Sequence, residues 1–498
     1  MNYLEFTTFL LPEIVLLLTA LTAIGLSLAH RKGADNQPEP PGLIASVSAS
    51  GILIAGAILL FFPQEGNLLG SMLVLDPLTR LFKLVVLVMT LLAVILLKET
   101  PPSRNLGENF ALLLFATIGL MLVVGTEELL VLFLGLELAG LSFYILVGFS
   151  KSDIRSAEAA LKYFLFGSIS AAFLLFGMSL IYGFAESTAL NEIGTALRGN
   201  PSEPILVVGL AMTLAGFGFK VSAVPFHLWA PDVYQGAPTP AAALISSGSK
   251  VAGFFILAKV LLLGFAGVEG SAGWGAFEAG WVPLIGLMAA LSMVLGNLAA
   301  LAQSSVRRLL AYSGIGHAGF ILIAIMAATP EALSAVLFYA VIYGLTTLGA
   351  FGIVAVVIRT RGGDNLTDFA GMSREAPLLS LCMLVFLISL AGLPPLAGFF
   401  GKFYLFTTAM GADATAGSQP GMLWLVALAL LMSAVSLYYY LLVLKQIYVG
   451  RTPEGATAIL PSRTINLTCA TLAAAALALG CYPDLLLKPI RFAVGEAW

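Results

Sequence analysis

Six lysines, Lys83, Lys162, Lys220, Lys250, Lys259 and Lys402, fall inside or at the edges of long apolar stretches of this 498-residue sequence. An ammonium group at the centre of a bilayer costs roughly 2.5–3.5 kcal/mol even on the lenient insertion scale. Several together threaten a net stability of only about 5–15 kcal/mol. The remedies are an acidic partner, a hydrated cavity or release of the proton, and all three are the physics of a proton relay. Acidic partners are scarce: Glu137, in Leu134-Gly-Leu-Glu137-Leu-Ala-Gly, is the one carboxylate expected near mid-membrane. Glu158 and Lys162 stand four apart on one helical face, in the orientation that pairs most readily. Lys162 is therefore expected to alternate between Glu158 and Glu137. With one or two carboxylates against Lys162, Lys220, Lys250 and Lys402, most of these lysines have no permanent counter-ion, and a lysine that can lose its proton can pass it on.

Other titratable residues have plainer readings. Lys83 follows Asp76 and Arg80 near the start of an apolar stretch and is expected to snorkel to the interface. Lys259 lies late in its stretch, so snorkelling and function both stay open. His317 either bridges Lys250 and Lys402, as its near-neutral titration would suit, or packs as a satisfied core histidine. For His227, in Pro225-Phe-His227-Leu-Trp229, a structural and a gating role are equally open, and His30 beside Arg31 and Lys32 is expected to be solvated.

The elements that must position these groups follow from composition. Apolar residues make up 59% of the chain and charged ones 10%, against about a quarter charged in soluble domains. Apolar runs of about 20 residues, long enough to cross a hydrocarbon core as a helix, recur fourteen times. The fold class is thus an all-α polytopic membrane protein with about 14 transmembrane helices. No positive charge precedes the first run, so it reads as a retained helix rather than a cleavable signal. Lys and Arg gather in the odd-numbered connections (Arg31, Lys32, Lys98, Arg104, Lys151, Arg155, Arg307, Arg308, Arg359, Arg361, Arg374, Lys445, Arg451, Arg463), whereas the even ones offer little beyond Arg198. Positive loops stay cytoplasmic, which places both termini on the opposite side. Cys382, Cys469 and Cys481, odd in number and without CxxC spacing, read as packing residues.

Two spans should break. Span seven runs into Gly216-Phe-Gly218-Phe-Lys220-Val-Ser-Ala-Val-Pro225, and span twelve contains Gly392-Leu-Pro394-Pro395-Leu-Ala-Gly398-Phe-Phe-Gly401-Lys402. Proline removes a helical donor and clashes with the preceding turn. Spans seven and twelve are five apart, and matched interrupted helices point to inverted repeats. The expected division is residues 1–105 for helices one to three, 106–266 for a first five-helix repeat, 267–450 for a second, and 451–498 for helix fourteen and the tail. The general abundance of Gly and Pro in membrane helices accounts for one kink better than for two matched ones.

No phosphate loop is expected at Gly398–Lys402, because the glycine spacing is wrong and Phe403 stands where Ser or Thr belongs. Without a GxGxxG motif, a cysteine cluster or paired histidines, the chain is expected to carry no redox cofactor and no metal. No basic cluster suggests nucleic acid.

The run Phe219-Lys220-Val-Ser-Ala-Val-Pro225-Phe-His-Leu-Trp229-Ala-Pro231-Asp232-Val-Tyr234-Gln-Gly236-Ala-Pro238-Thr239-Pro240, with Ser249-Lys250-Val-Ala-Gly253, resembles the proton-translocating membrane subunits of NADH-quinone oxidoreductase (respiratory complex I) and the related multi-subunit cation/proton antiporters. Val-Tyr-Gln-Gly before Ala-Pro-Thr-Pro and the Leu393–Lys402 run look most like the subunit N branch and its photosynthetic counterpart. Sister subunit M typically has glutamate at the position of Lys402, and subunit L carries a long C-terminal extension. The resemblance covers nearly the whole chain. It implies a relay of Glu137, Lys162, Lys220, Lys250 and Lys402 that is driven by electron transfer in other subunits, where FMN and iron–sulfur clusters belong. Implied partners are other complex I membrane subunits, including subunit M and a small subunit K-type neighbour, in a bacterial plasma membrane. A subunit of a sodium/proton antiporter and a non-pumping scaffold are the competing readings.

Overall fold

The computed structural model describes residues 3–33, 41–62, 65–101, 105–198, 203–273, 276–415, 422–452, 455 and 457–497. Among them, thirteen helices are long and apolar enough to cross a membrane. They match the expected spans one to eleven, thirteen and fourteen. Span twelve, the remaining crossing, is divided into Pro377–Ala391 and Ala397–Thr415. Span seven is divided likewise, into Pro204–Val221 and Trp229–Gly236. Span eight also breaks, at Ser247 between Thr239–Ser246 and Gly248–Lys259, and then widens into a π-turn over Val260–Gly264. Two things differ from expectation: this third break, and a C-terminal helix, Asp484–Ala497, where a tail was expected. That helix carries Asp484, Lys488, Arg491 and Glu496 and contains Pro489, so its apolar content fell below that of a span. Two short hairpins, Gly66–Leu68 with Leu73–Leu75 and Ser271–Gly273 with Ala276–Glu278, close the connections after spans two and eight.

Both expected breaks end in the same way. The Ser222 N–H bonds to Phe219 O and the Ala223 N–H to Gly218 O; five spans later the Gly392 N–H bonds to Ser389 O and the Leu393 N–H to Ile388 O. Ser222 and Gly392 are left-handed at φ 60° and 85°, so each first half closes in a Schellman motif. Proline explains why the chain stops there. The helical partner of a carbonyl is the N–H four residues on, and for Val221 and Ala391 those positions are Pro225 and Pro395, which have none. The unwound Ser222–Leu228 segment is held by protein groups, as backbone at membrane depth must be: Ser292 Oγ accepts from Val224 N, and the Trp229 indole donates to Phe219 O.

Lipid gives helices little hydrophobic reason to associate, so close approach of small residues does the work. A methyl added at Gly119 of span four (Leu106–Val124) would lie 2.5 Å from Ala139 N of span five (Leu129–Val147). Gly177 meets Gly209 between spans six and seven, and Gly296 meets Gly316 between spans nine and ten, equally closely. Spans eight, ten (Val306–Ile325) and eleven (Pro330–Arg361) form the almost wholly buried centre, whereas span six (Ile154–Ala185) and span fourteen (Arg463–Cys481) lie at the edge.

The connections are stitched together in pairs. A β-bridge joins Glu128 to Ala189, linking the turns after spans four and six, and another joins Ser305 to Asn365 after spans nine and eleven. The hairpin after span two joins the first set, with Val74 N–H to Gly125 O and Glu127 N–H to Ser71 O.

Lys83 corrects its expected snorkelling. It is 4% exposed, and its Nζ lies 2.7 Å from Glu13 Oε1 in span one (Leu11–Gly33). Sequence could not pair groups seventy residues apart. Removing one partner of a buried pair leaves a stranded charge, at a cost of about 3–5 kcal/mol. Glu13→Gln should therefore lower the thermal inactivation midpoint of the solubilised protein, and Lys83→Met added to it should recover part of the loss. Gly392→Ala should cost at least about 1–2 kcal/mol from the left-handed backbone alone, and more because its Cβ would lie 2.8 Å from Lys402 Cδ; chemical denaturation of the purified protein measures it.

Candidate functional site

Lys220 sits in the last turn of the first half of span seven and points into a cavity of about 30 Å³ lined by Glu137, Tyr144, Tyr163 and Phe219. That volume is enough for a water. Its Nζ stands 5.8 Å from the Phe143 ring centroid, and no ion pair closes between Lys220 and Glu137 among the described residues. Lys250 lies just after the span-eight break, 2% exposed, and donates to Gly314 O of span ten at 2.8 Å. Tyr343 of span eleven offers its ring 5.5 Å from Lys250 Nζ, and its hydroxyl is buried with no hydrogen-bond partner. A methyl at Gly314 would fall 2.5 Å from that hydroxyl and 2.9 Å from Lys250 Nζ, so glycine lets the two groups share one site.

His317 stands one turn further along span ten, between this site and Lys402. Its Nδ1 is 2.7 Å from Tyr339 Oη and its Nε2 3.1 Å from Tyr440 Oη, and Tyr440 in turn bonds to Ser313 Oγ at 2.6 Å. A neutral imidazole has one donor and one acceptor nitrogen, so each tyrosine takes the complementary part. His317 is thus a satisfied core histidine; it bonds to neither Lys250 nor Lys402, and its two partners are tyrosine hydroxyls. The Phe320 ring packs against His317 at 5.7 Å and against Lys402 Nζ at 4.9 Å. Lys402 donates to Ala391 O at 3.0 Å and to Ser433 Oγ at 2.8 Å. Ala391 O is the carbonyl that Pro395 leaves without its helical donor. Thus Lys220, Lys250 and Lys402 are buried, and none makes an ion pair with a carboxylate among the described residues.

Lys162 departs from expectation. It does not pair with Glu137; its Nζ lies 2.6 Å from Glu158 Oε1 and 2.6 Å from Asp232 Oδ2, and its side chain is 38% exposed. The reason is length. Span six has 32 residues, about 48 Å of helix at 1.5 Å per residue, against a hydrocarbon core of about 30 Å. Its first turns therefore extend towards the interface. The i, i+4 partner was legible, but Asp232 comes from the second half of span seven and was missed.

Lys259 is settled against snorkelling. It is 2% exposed, and its Nζ lies 2.8 Å from Glu127 Oε1 in the turn before span five, a buried carboxylate that the sequence had not singled out. His227 is half-buried in the span-seven break, where its carbonyl accepts from Ala230 N; it touches none of the lysines through a hydrogen bond. Missed altogether were the tyrosine hydroxyls. The available signal was Tyr339 and Tyr343 at i, i+4 in the middle of a span, away from the interfacial belts where tyrosine gathers. No group of three or more His, Cys, Asp or Glu placed to hold a metal occurs among the described residues.

A family profile described as "NADH:quinone oxidoreductase/Mrp antiporter, TM" matches residues 126–435. The NADH-quinone oxidoreductase subunit N 2 of Acidobacterium capsulatum is 46% identical over 98% of this chain and 99% of its own length. A chain of the respiratory complex I of Thermus thermophilus superposes with a TM-score of 0.77 at 33% identity, covering 96% of this chain and 98% of that one. A chain of the Mrp complex from Dietzia superposes at 0.82 with 20% identity, a likeness of fold alone. With more than half of its length inside the profile and a full-length relative at this identity, the chain belongs to the NADH:quinone oxidoreductase/Mrp antiporter family of membrane subunits, in the subunit N branch.

Proposed function

We propose that this chain is a proton-translocating membrane subunit of a bacterial NADH-quinone oxidoreductase, carrying protons along Lys220, Lys250, His317 and Lys402. One observation carries the reading: three buried lysines make no ion pair with a carboxylate among the described residues, and two of them, Lys250 and Lys402, are held by backbone carbonyls on either side of the Tyr339–His317–Tyr440 group. Intramembrane ionisable groups are functional by default. Lys220 exchanges with the cytoplasmic side through the Glu137 cavity. Lys250 passes its proton beside Tyr343, and the Tyr339–His317–Tyr440 chain hands it to Lys402, which releases it on the far side. Moving one charge against 100 mV costs about 2.3 kcal/mol, so the drive must come from electron transfer in other subunits, where the flavin and iron–sulfur centres belong.

The matched Schellman breaks and the matched β-bridges support two inverted repeats, residues 106–266 and 267–450, each supplying one half-channel. The basic odd-numbered connections support cytoplasmic placement of that side, with both termini opposite. Side chains of Arg31 and Lys32, and all of Arg104, lie outside the described residues. Partners are neighbouring membrane subunits of the M and K types. The antiporter reading uses the same lysines with sodium exchange, and the subunit N relative favours the redox complex.

Lys220→Ala in the assembled complex, reconstituted in vesicles, should abolish the chain's contribution to proton pumping while NADH oxidation continues or slows. Full pumping would dismiss the relay. Tyr440→Phe should slow pumping less than Lys402→Ala, because His317 keeps Tyr339; equal losses would mean that the hydroxyl is indispensable.

A further inference from the structure

Where span one begins and span two (Pro41–Phe61) ends, residues of the short helix Tyr3–Phe9, of both span ends and of the first hairpin enclose a cleft of about 260 Å³. Phe9, Leu11, Pro12, Ile58, Leu59 and Leu75 line it, so its interior is apolar. A helix is 10–12 Å across and does not fit a space of that size, whereas a single hydrocarbon chain does. Beside the cleft Leu60, Phe61 and Phe62 are 60%, 77% and 69% exposed, as suits a surface that meets lipid.

One charged group lines the cleft, Arg80, in the first turn of span three (Pro77–Glu99). That span has 23 residues, about 35 Å of helix at 1.5 Å per residue, against a hydrocarbon core of about 30 Å. Its first turn therefore reaches the level of the lipid headgroups. The Arg80 guanidinium holds Glu65, just before the hairpin, at 3.1 Å, and the Glu65 side chain is 55% exposed. The other charges described nearby are taken. Asp76 caps span three by accepting from Thr79 N, and Glu13 and Lys83 close on each other one turn deeper. The mouth thus offers one cation and one carboxylate side by side above an apolar cleft.

We propose that this cleft binds one phospholipid with a primary-amine zwitterionic headgroup, a phosphatidylethanolamine. An acyl chain lies between spans one and two, the phosphate meets Arg80 and the ammonium meets Glu65. Guanidinium with phosphate, and ammonium with carboxylate, make charge-assisted hydrogen bonds, so a headgroup that supplies both charges satisfies both members of the pair. A choline headgroup fails because its trimethylated nitrogen has no hydrogen to donate. A glycerol headgroup fails because it sets a phosphate beside Glu65 without bringing a cation. The site lies apart from the lysine relay and does not rest on it.

The test uses the assembled complex in vesicles that carry a trace of one photoreactive lipid, with a diazirine at the end of one acyl chain and an ethanolamine, choline or glycerol headgroup. After irradiation, mass spectrometry reads how much label sits on the peptides that contain Phe9–Pro12 and Ile58–Phe62. The ethanolamine probe should label them severalfold more than the other two, and unlabelled phosphatidylethanolamine should compete it away. Glu65→Gln, at an exposed side chain, should bring the ethanolamine probe down to the level of the choline probe and leave the choline probe unchanged. Ile58→Trp, which fills the cleft, should lower labelling by all three. Equal labelling by the three probes would overturn the proposal, as would an ethanolamine signal that Glu65→Gln leaves intact. No labelling at all would overturn it too, since a neighbouring subunit would then cover the cleft. If Glu65→Gln fails to assemble, the comparison of the three probes on the wild type decides alone.

Discussion

A charged amine inside a bundle of helices must be solvated by something, and here the solvent is backbone. Lys402 bonds to the carbonyl of Ala391, and Lys250 to that of Gly314. A carbonyl carries a dipole but no charge, so it satisfies donors without binding the proton as tightly as a carboxylate would. That distinction separates two populations of lysine in one chain. Lys83 and Lys259 are closed against Glu13 and Glu127, and hold spans and turns together. Lys250 and Lys402 are left with neutral partners, and Lys220 shares its cavity with Glu137 without closing an ion pair, so all three are free to trade.

The rest of the architecture serves this constraint. Carbonyls become available where a helix is interrupted, and interruption is tolerable only deep in protein. Accordingly the broken spans pack around the most buried helices, and glycine contacts bring their backbones close enough to enclose the gaps. Span ten is central for the same reason. Its Gly314 admits Lys250 and Tyr343 together, Gly316 admits span nine, and His317 faces two tyrosines.

Much of this was legible in the residues. Lysine within an apolar run is conspicuous because its cost is large, so Lys220, Lys250 and Lys402 stood out at once; Pro225 and Pro395 marked the breaks. The span count emerged from run length alone. Illegible were pairings between groups distant in sequence. Asp232 looks like an ordinary loop acid until the chain folds it beside Lys162, and Glu13 gives no hint of Lys83. Tyrosine hides its hydroxyl behind an aromatic ring that reads as packing, and Ser247 interrupts span eight seven residues past its one proline, Pro240. The depth of Lys162 was misjudged because periodicity says where a side chain lies around a helix, not how far that helix overshoots the lipid.

Pro395 and Lys402 form a unit that neither residue makes alone. Give the imino ring back its hydrogen and the carbonyl of Ala391 regains a rival suitor; swap the amine for an acid and that carbonyl can be satisfied only while the acid keeps its proton. Substitutions at one position are therefore tied to the other.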